Sequence, residues 1–558
     1  MSQQTDLDIK SKSRQQQLQK EEEPKIIQQK NRKMNIKHLC ILLTVLFAIG
    51  FIYLLNYNSK SPKLTESQRQ FIKEHPGYGL NGQLESLRRK EFSYLTKNGT
   101  YLDFTGAGMF QESQLQNTIN ELSNNLYCNT HSLSACSKNT DKTVEEVRNA
   151  LLDYFNAPKG TYSIIFTASA TAALKLVGDS FPWSNSSKFL YSKHNHNSVL
   201  GMRRLAIANG AKYQTLPWDY YLNIQKPVKM ETAREVLTKH YHDEDDGNTT
   251  YNLLAFPAEC NFSGIKYPLD IVQNFEANDE GETYNQGKWH VLLDVAAYIP
   301  THKLDLNATP VSFAVMSFYK MFGFPTGIGA LIVRNDAAGL LRKTWFAGGS
   351  VVMASCDSDY CKLKPRYSEK FEDGSLNYQG ILGVKYGLQA IKNVGIDNIQ
   401  DHICALRTRA WERSQKITHS NGRKLFVVYG EHHLDCSVQG GILSFNLIDK
   451  SGNFIGYTKL TTSAAEHNFM LRAGCSCNPG ACTNYLGLSE EQVIKTSANR
   501  SSCGDDIDNI NGIPLGAVRI SFGYPNNIQD VDSFFDYIEA NWVDYQGKSD
   551  FGGFSGMM

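Results

Sequence analysis

The stretch TYSIIFTASATAALKLVGDSF, residues 161–181, decides the fold class. Its first nine residues are rich in β-branched and aromatic side chains and read as a strand entering a tight turn. From Ala170 onward small and aliphatic residues recur at helical spacing, so the second half reads as a helix. Further strand-like runs follow: KFLYSKH (188–194), NLLAFPAE (252–259), WHVLLDVAAY (289–298), VSFAVMSFYK (311–320) and IGALIVRND (328–336). Short strands separated by helical stretches predict an α/β domain with a mainly parallel sheet, spanning residues 85–345. Beyond it the pattern turns more helical. Strands return at GGILSFNLID (440–449) and GAVRISFGY (516–524), which predicts a smaller α+β domain over 346–545. Residues 58–84 read as a linker, and 1–37 and 546–558 as disordered tails.

The whole chain has 558 residues, 41% of them hydrophobic and 11% aromatic, enough for sizeable cores and too many for wholesale disorder. Its 57 basic residues are balanced by 56 acidic ones, which argues against a nucleic-acid binder relying on a global basic field. Twelve cysteines in this length are too sparse for a small disulfide scaffold.

One segment departs from this composition. Residues 39–55, LCILLTVLFAIGFIYLL, are seventeen residues without a charge. As a helix they extend about 25 Å, and with their flanks they approach the ~30 Å hydrocarbon thickness of a bilayer. A single membrane-spanning helix is expected over residues 38–57. Five Lys and Arg precede it from Lys25 to Lys37, and Lys60, Lys63 and Arg69 follow it, which puts the amino terminus in the cytoplasm. Thiolate chemistry favours a reducing cytosol for the main domain instead, so the face of the membrane stays open.

Four groups of residues carry chemistry. Lys320 ends an apolar strand and precedes the glycine-rich turn MFGFPTGIG, a setting that suits Schiff-base formation by a desolvated amine. Asp294 ends the apolar run Val291-Leu292-Leu293, either as a partner for a pyridinium nitrogen or as a turn cap. Residues 167–171 (TASAT) sit at a strand-to-helix junction, where N–H groups face a phosphate or simply accept a helix cap. RAGCSCNPGAC (472–482) places three cysteines in eight residues. Reactive thiols, a metal site and a structural disulfide are all open readings, although C-x-C-x4-C lacks the usual zinc spacing.

Together with FPAECNFSGIKYPL (256–269), VLLDVAAYIPTHKLDL (291–306), SFYKMFGFPTGIGALIVRN (317–335) and FEDGS (371–375), these stretches resemble the desulfurase part of eukaryotic molybdenum cofactor sulfurases. Those proteins belong to the class V aminotransferase group of pyridoxal-phosphate (PLP) enzymes. The likeness runs from about residue 85 to 545. It implies fold type I, a homodimer, PLP as cofactor, L-cysteine as substrate and no metal. Lys320 matches the lysine that binds the cofactor covalently. Asp294 matches the carboxylate that keeps the ring nitrogen protonated, and His196 the histidine stacked on the ring. Asn261 matches the asparagine on the phenolic oxygen. Ala170, Thr171 and Ser317 match phosphate contacts, and Ser375 the position that reaches the phosphate from the neighbouring subunit. Arg519 matches the clamp on the substrate carboxylate, a task that suits a guanidinium fork. Cys477 matches the nucleophilic cysteine, ahead of Cys475 and Cys482.

The implied reaction takes sulfur from L-cysteine onto Cys477 as a persulfide and releases alanine. Ala297 stands where many desulfurases carry a glutamine on the phenolic oxygen. Tyr319 precedes the lysine where bacterial relatives carry histidine. The family's plant and animal forms continue into a carboxy-terminal domain that holds the molybdenum cofactor. That acceptor module is therefore expected on a separate protein. Another class V enzyme, a lyase or aminotransferase, is the alternative; a non-catalytic membrane protein on the same fold is the remaining one.

Overall fold

The computed structural model describes residues 64–223, 231–241, 249–276, 287–498, 500 and 507–547. The expected membrane span at 38–57 lies outside the described residues. Among the described residues no helix is long and apolar enough to cross a membrane. The chain divides into two units, Met1–Arg69 and Gln70–Met558, and everything below concerns the second.

Helix α1 (Ala135–Tyr154) opens the three-layer region, capped by the Ser134 hydroxyl, which accepts from the Ser137 N–H. Strand β1 (Tyr162–Thr167) then runs into helix α2 (Ala170–Ser180), as the opening stretch of sequence predicts. Next come β2 (Lys188–Ser192), α3 (Asn197–Ala208), β3 (Lys212–Leu216), β4 (Tyr251–Pro257), β5 (Lys288–Asp294) and β6 (Phe313–Ser317). The short helix α4 (Phe318–Phe322) follows, and β7 (Gly329–Arg334) completes a seven-stranded sheet of order β1-β7-β6-β5-β4-β2-β3. Strands β2 to β6 pair in parallel, whereas β7 is antiparallel to both β1 and β6. The sheet is thus mixed rather than simply parallel. All six strands expected from the sequence are present, and β3 is the addition.

Alternate residues of each strand face opposite layers, so Leu253 and Ala255 join one core while Leu254 and Phe256 join the other. α2 and α3 cover the first face through Leu174, Val177, Val199 and Met202. α1 and α5 (Tyr378–Val394) cover the second through Val147, Leu151, Val384 and Leu388. That second core continues into a four-stranded antiparallel sheet. It is built from β8 (Phe426–Tyr429), β9 (Ile442–Leu447), β10 (Arg472–Gly474) and β11 (Ala517–Ser521), in the order β8-β9-β11-β10. Helix α6 (Ile528–Trp542) packs Phe534 and Phe535 onto this core.

A buried ion pair ties the carboxyl end of β1 to the FEDGS loop. Arg148 bonds both Glu372 oxygens at 2.6 Å, and the same carboxylate accepts the Phe166 N–H at 2.7 Å. Both side chains are almost entirely withdrawn from water. Breaking such a pair from one side leaves a buried charge uncompensated. Glu372→Ala should therefore lower the urea-unfolding free energy by about 3–5 kcal/mol, while Ser375→Ala, on the exposed end of the same loop, changes it by less than about 0.5 kcal/mol.

Candidate active site

The carboxyl ends of β4, β5 and β6 lie side by side. Register pairs Pro257 with Asp294 and Asp294 with Val315, so the segments that leave these strands enter one cavity. This is where open α/β sheets hold their ligands. The cavity is lined by His196, Asn261, Asp294 and Lys320, and by Ala170, Thr171 and Ser317. Seven residues singled out in the sequence therefore meet in one place.

Lys320 sits on α4, one turn past the end of β6. Desolvation lowers its pKa, and Asp294 opposes that shift. Asp294 accepts the Ala296 N–H on Oδ1 at 3.0 Å, which fixes its carboxylate at the strand end. His196 caps α3: its Nδ1 accepts the Ser198 N–H at 3.1 Å. Because a backbone N–H only donates, the ring proton lies on Nε2. Burial lowers the His196 pKa, with Asp294 opposing, so the imidazole is neutral at pH 7.

Antiparallel pairing places Thr167 and Ser317 on either side of Gly329. A Cβ at Gly329 would lie 2.7 Å from the Ser169 Cα, so the chain needs glycine there to bring the start of α2 down onto β6. The Ala170 N–H then donates to the Ser317 hydroxyl at 2.8 Å, and the Thr171 and Ser198 hydroxyls meet at 2.8 Å. A helix amino terminus with three hydroxyls around it is an anion site. The amine, the carboxylate and this anion site fit the aldehyde, pyridine nitrogen and phosphate of PLP.

Asn261 lines the cavity and also reaches the cysteine loop. Its Nδ2 donates to the Ser476 carbonyl at 2.7 Å, and its Oδ1 accepts from Asn478 Nδ2 at 2.9 Å. It joins the cavity to the cysteine loop. Asn478 is fully buried, donates also to the His194 carbonyl at 2.7 Å, and caps helix α7 (Pro479–Leu486) through Ala481 N. The Cys477 carbonyl accepts the Asn197 N–H at 2.8 Å. Cys477 is an exposed free thiol, while Cys475 and Cys482 form a disulfide. The cysteine cluster thus resolves into one available thiol and one crosslink. Cys128–Cys136 and Cys404–Cys436 are also bonded.

Arg519, on β11, is buried and donates to the Asn261 carbonyl at 2.8 Å and to Asp103. Its Nε is buried without a hydrogen-bond partner. Asp103 also bonds Arg472 Nε at 3.1 Å, so one carboxylate holds two guanidiniums beside the cysteine loop. Sequence reasoning missed Asp103 and Asn478, because both act through contacts hundreds of residues away in the chain. Ser375 is not brought to this cavity. It lies exposed in a neighbouring groove with Thr167 and Lys343, where Asn129 donates to it at 3.2 Å.

A mixed α/β sheet with this amine, carboxylate and anion site at its carboxyl edge defines the fold type I class of PLP enzymes. The chain belongs to the class V aminotransferase family, whose model matches residues 100–534. It is 39% identical over 477 residues to molybdenum cofactor sulfurase of Arabidopsis thaliana, 37% over 496 residues to that of Solanum lycopersicum and 38% over 472 residues to that of Homo sapiens. These matches cover 82%, 86% and 83% of the chain, and it spans 58%, 60% and 52% of the three relatives' lengths. Among solved structures, a cysteine desulfurase from Thermococcus onnurineus matches with a TM-score of 0.62 at 21% identity, over 82% of this chain and 97% of that one. The cysteine desulfurase CsdA of Escherichia coli matches at 0.59 and 19%, over 82% and 97%. At those identities the likeness concerns the fold.

Asn478→Ala removes the donor that ties the loop to His194 and Asn261. With about 1 kcal/mol for each lost bond, amide hydrogen exchange across residues 475–482 should speed up tenfold or more while β4 and β5 stay protected.

Proposed function

We propose that the chain is a PLP-dependent cysteine desulfurase of the sulfurase type, tethered to a membrane by residues 38–57. The observation that carries this reading is the free Cys477 thiol, docked through Asn261 onto the cavity that Lys320, Asp294 and His196 line. A lyase or aminotransferase has no need of that thiol. The matching of a cavity amine with a thiol on a separate, pinned loop suits sulfur transfer.

PLP, held by Lys320, Asp294 and the start of α2, supplies an electron sink that makes the substrate's α-proton removable. Lys320 Nζ, whose pKa desolvation lowers, takes that proton; the β-carbon gains a proton once the C–S bond breaks, and the α-carbon regains its own to complete alanine. His196 stays neutral and donates from Nε2. Arg519 binds the substrate carboxylate through its unpaired Nε, with Asp103 holding the guanidinium in place. The Cys477 thiolate attacks the substrate sulfur. The substrate C–S bond breaks, an S–S bond forms, and L-cysteine and thiol become alanine and persulfide with no external oxidant. The persulfide sulfur then passes to an acceptor such as molybdenum cofactor, and a second copy of the chain brings its Ser375 to the phosphate.

Purified chain incubated with PLP should acquire a visible absorption band and, with a thiol reductant added to reduce the persulfide, release one alanine per sulfide from L-cysteine. Lys320→Ala loses the band. Cys477→Ser keeps the band and loses persulfide. Full alanine release by Cys477→Ser instead favours the lyase or aminotransferase reading.

The membrane assignment rests on the charge-free run alone, and its side is tested directly. Sealed vesicles carrying the full chain should retain the 64–547 region through carbonate washing. Protease added outside then digests that region or leaves it whole, according to its face. Release by carbonate alone removes the anchor from the proposal.

A further inference from the structure

Residues 128–136, CNTHSLSAC, begin and end in cysteine, and Cys128 and Cys136 are bonded to each other. Burial does not hold the segment between them: Leu133 is 91% exposed, and Asn129 and His131 are exposed as well. A short exposed segment has little to offset the entropy of being ordered, so it keeps one shape only when it is tied down. Cys136 lies on α1, and the Cys128 N–H donates to Thr140 Oγ1 on the same helix at 3.0 Å. α1 therefore carries both ends, and the crosslink closes the segment.

The closed segment faces the tip of the FEDGS loop. The base of that loop is fixed by the Arg148–Glu372 pair, and at its tip the Gly374 N–H donates to the Gly348 carbonyl at 2.8 Å. The His131 ring lies against Gly349, where a Cβ would come within 2.9 Å of it, and His131 Nε2 stands 3.4 Å from the Gly374 carbonyl. Beside it, Asn129 Nδ2 reaches Ser375 Oγ at 3.2 Å.

The direction of each bond follows from chemistry. The His131 N–H lies 2.9 Å from the other end of the Asn129 amide. A backbone N–H only donates, so that end is the carbonyl oxygen Oδ1 and the end at Ser375 is the NH2. Asn129 must then donate to Ser375, and the serine oxygen accepts. A hydroxyl has one proton, and it cannot point at a group that is donating to it. The Ser375 O–H is thus turned away from Asn129 and left available, and an oxygen that already accepts is the better donor for it.

We infer that Asn129 is a positioning residue for the cofactor phosphate: it holds the Ser375 hydroxyl as a donor for the phosphate bound by a second copy of the chain. This rests on the phosphate role proposed above for Ser375. A serine rotor in open solvent points its proton wherever water accepts it, and ordering it on binding weakens the contact it makes. Asn129 orders it beforehand, on a segment that the disulfide and α1 keep in place.

The test compares two ligands on the full chain, PLP and pyridoxal, which has the same ring and aldehyde but no phosphate. The ratio of their dissociation constants reports the phosphate contacts alone, and a general loss of fold weakens both ligands alike. Ser375→Ala should lower the preference for PLP by about tenfold, the size of one hydrogen bond to a charged group. Asn129→Ala should lower it by about threefold or more, and the double variant should fall no further than Ser375→Ala. Asn129→Asp keeps an oxygen for the His131 N–H but has no hydrogen to give Ser375, so it should lose preference as the alanine variant does. A preference unmoved in Asn129→Ala or Asn129→Asp, where Ser375→Ala lowers it, overturns the inference. A preference unmoved in Ser375→Ala overturns the phosphate role of Ser375, and a wild type that binds no PLP overturns the cofactor reading; either result takes this inference with it. Without cofactor, the His131 amide should exchange faster with solvent in Asn129→Ala and at the wild-type rate in Asn129→Asp. A His131 amide that is unprotected in wild type means the Asn129 amide is not fixed, and that also overturns the inference.

Discussion

Desolvation of the Lys320 ammonium, opposed by the Asp294 carboxylate, is the interaction around which the rest of the molecule is arranged. A lysine charge withdrawn from water is expensive, so desolvation pulls the pKa down. A carboxylate at hand moderates that shift without abolishing it. The two must therefore sit close, at fixed height, on elements that do not move. Adjacent parallel strands deliver this, because register sets the level at which each chain leaves the sheet. The Asp294–Val315 pair puts β5 and β6 flush, and Lys320 then rises one helical turn above the edge.

The antiparallel strand β7 has a positional role in the same scheme. Running against both β1 and β6, it brings the end of β1 to the cavity's edge although the two strands are not neighbours. The start of α2 arrives beside Ser317 for that reason. A wholly parallel sheet would need a further crossover to place a helix amino terminus there.

Much of this was legible from the chain, and the losses have physical causes. Six strands could be read because their interiors are apolar on both faces, with Val291, Leu292 and Leu293 as the clearest run. β3, KYQTL, is a sheet edge that is mostly exposed, and its polar residues carry no strand signal. The reversal of β7 could not be read, since periodicity of two is blind to direction. Lys320 and Asp294 stood out in local motifs, and the family resemblance separated Cys477 from the cysteines beside it. Asp103 and Asn478 were not legible, because a carboxylate between two arginines and an amide bridging two loops exist only once distant segments meet. Asn261 was legible as a cavity residue, whereas its bonds to the Ser476 carbonyl and to Asn478 were not.

The cysteine loop illustrates how a strained segment is made to hold one shape. Ser476 and Cys477 both take left-handed backbone angles, with φ of 53° and 56°. Each costs on the order of 1–2 kcal/mol for a residue with a side chain. The Cys475–Cys482 crosslink closes this short segment, and by chain entropy alone such a closure removes about 2–3 kcal/mol of freedom from the undocked loop. The bonds from Asn261, Asn478 and Asn197 supply the remainder at about 1 kcal/mol each. Restraint of about 5–6 kcal/mol thus exceeds strain of about 2–4 kcal/mol, so the docked shape is held. That balance leaves Cys477 facing solvent while the residue beside it, Asn478, is fully buried.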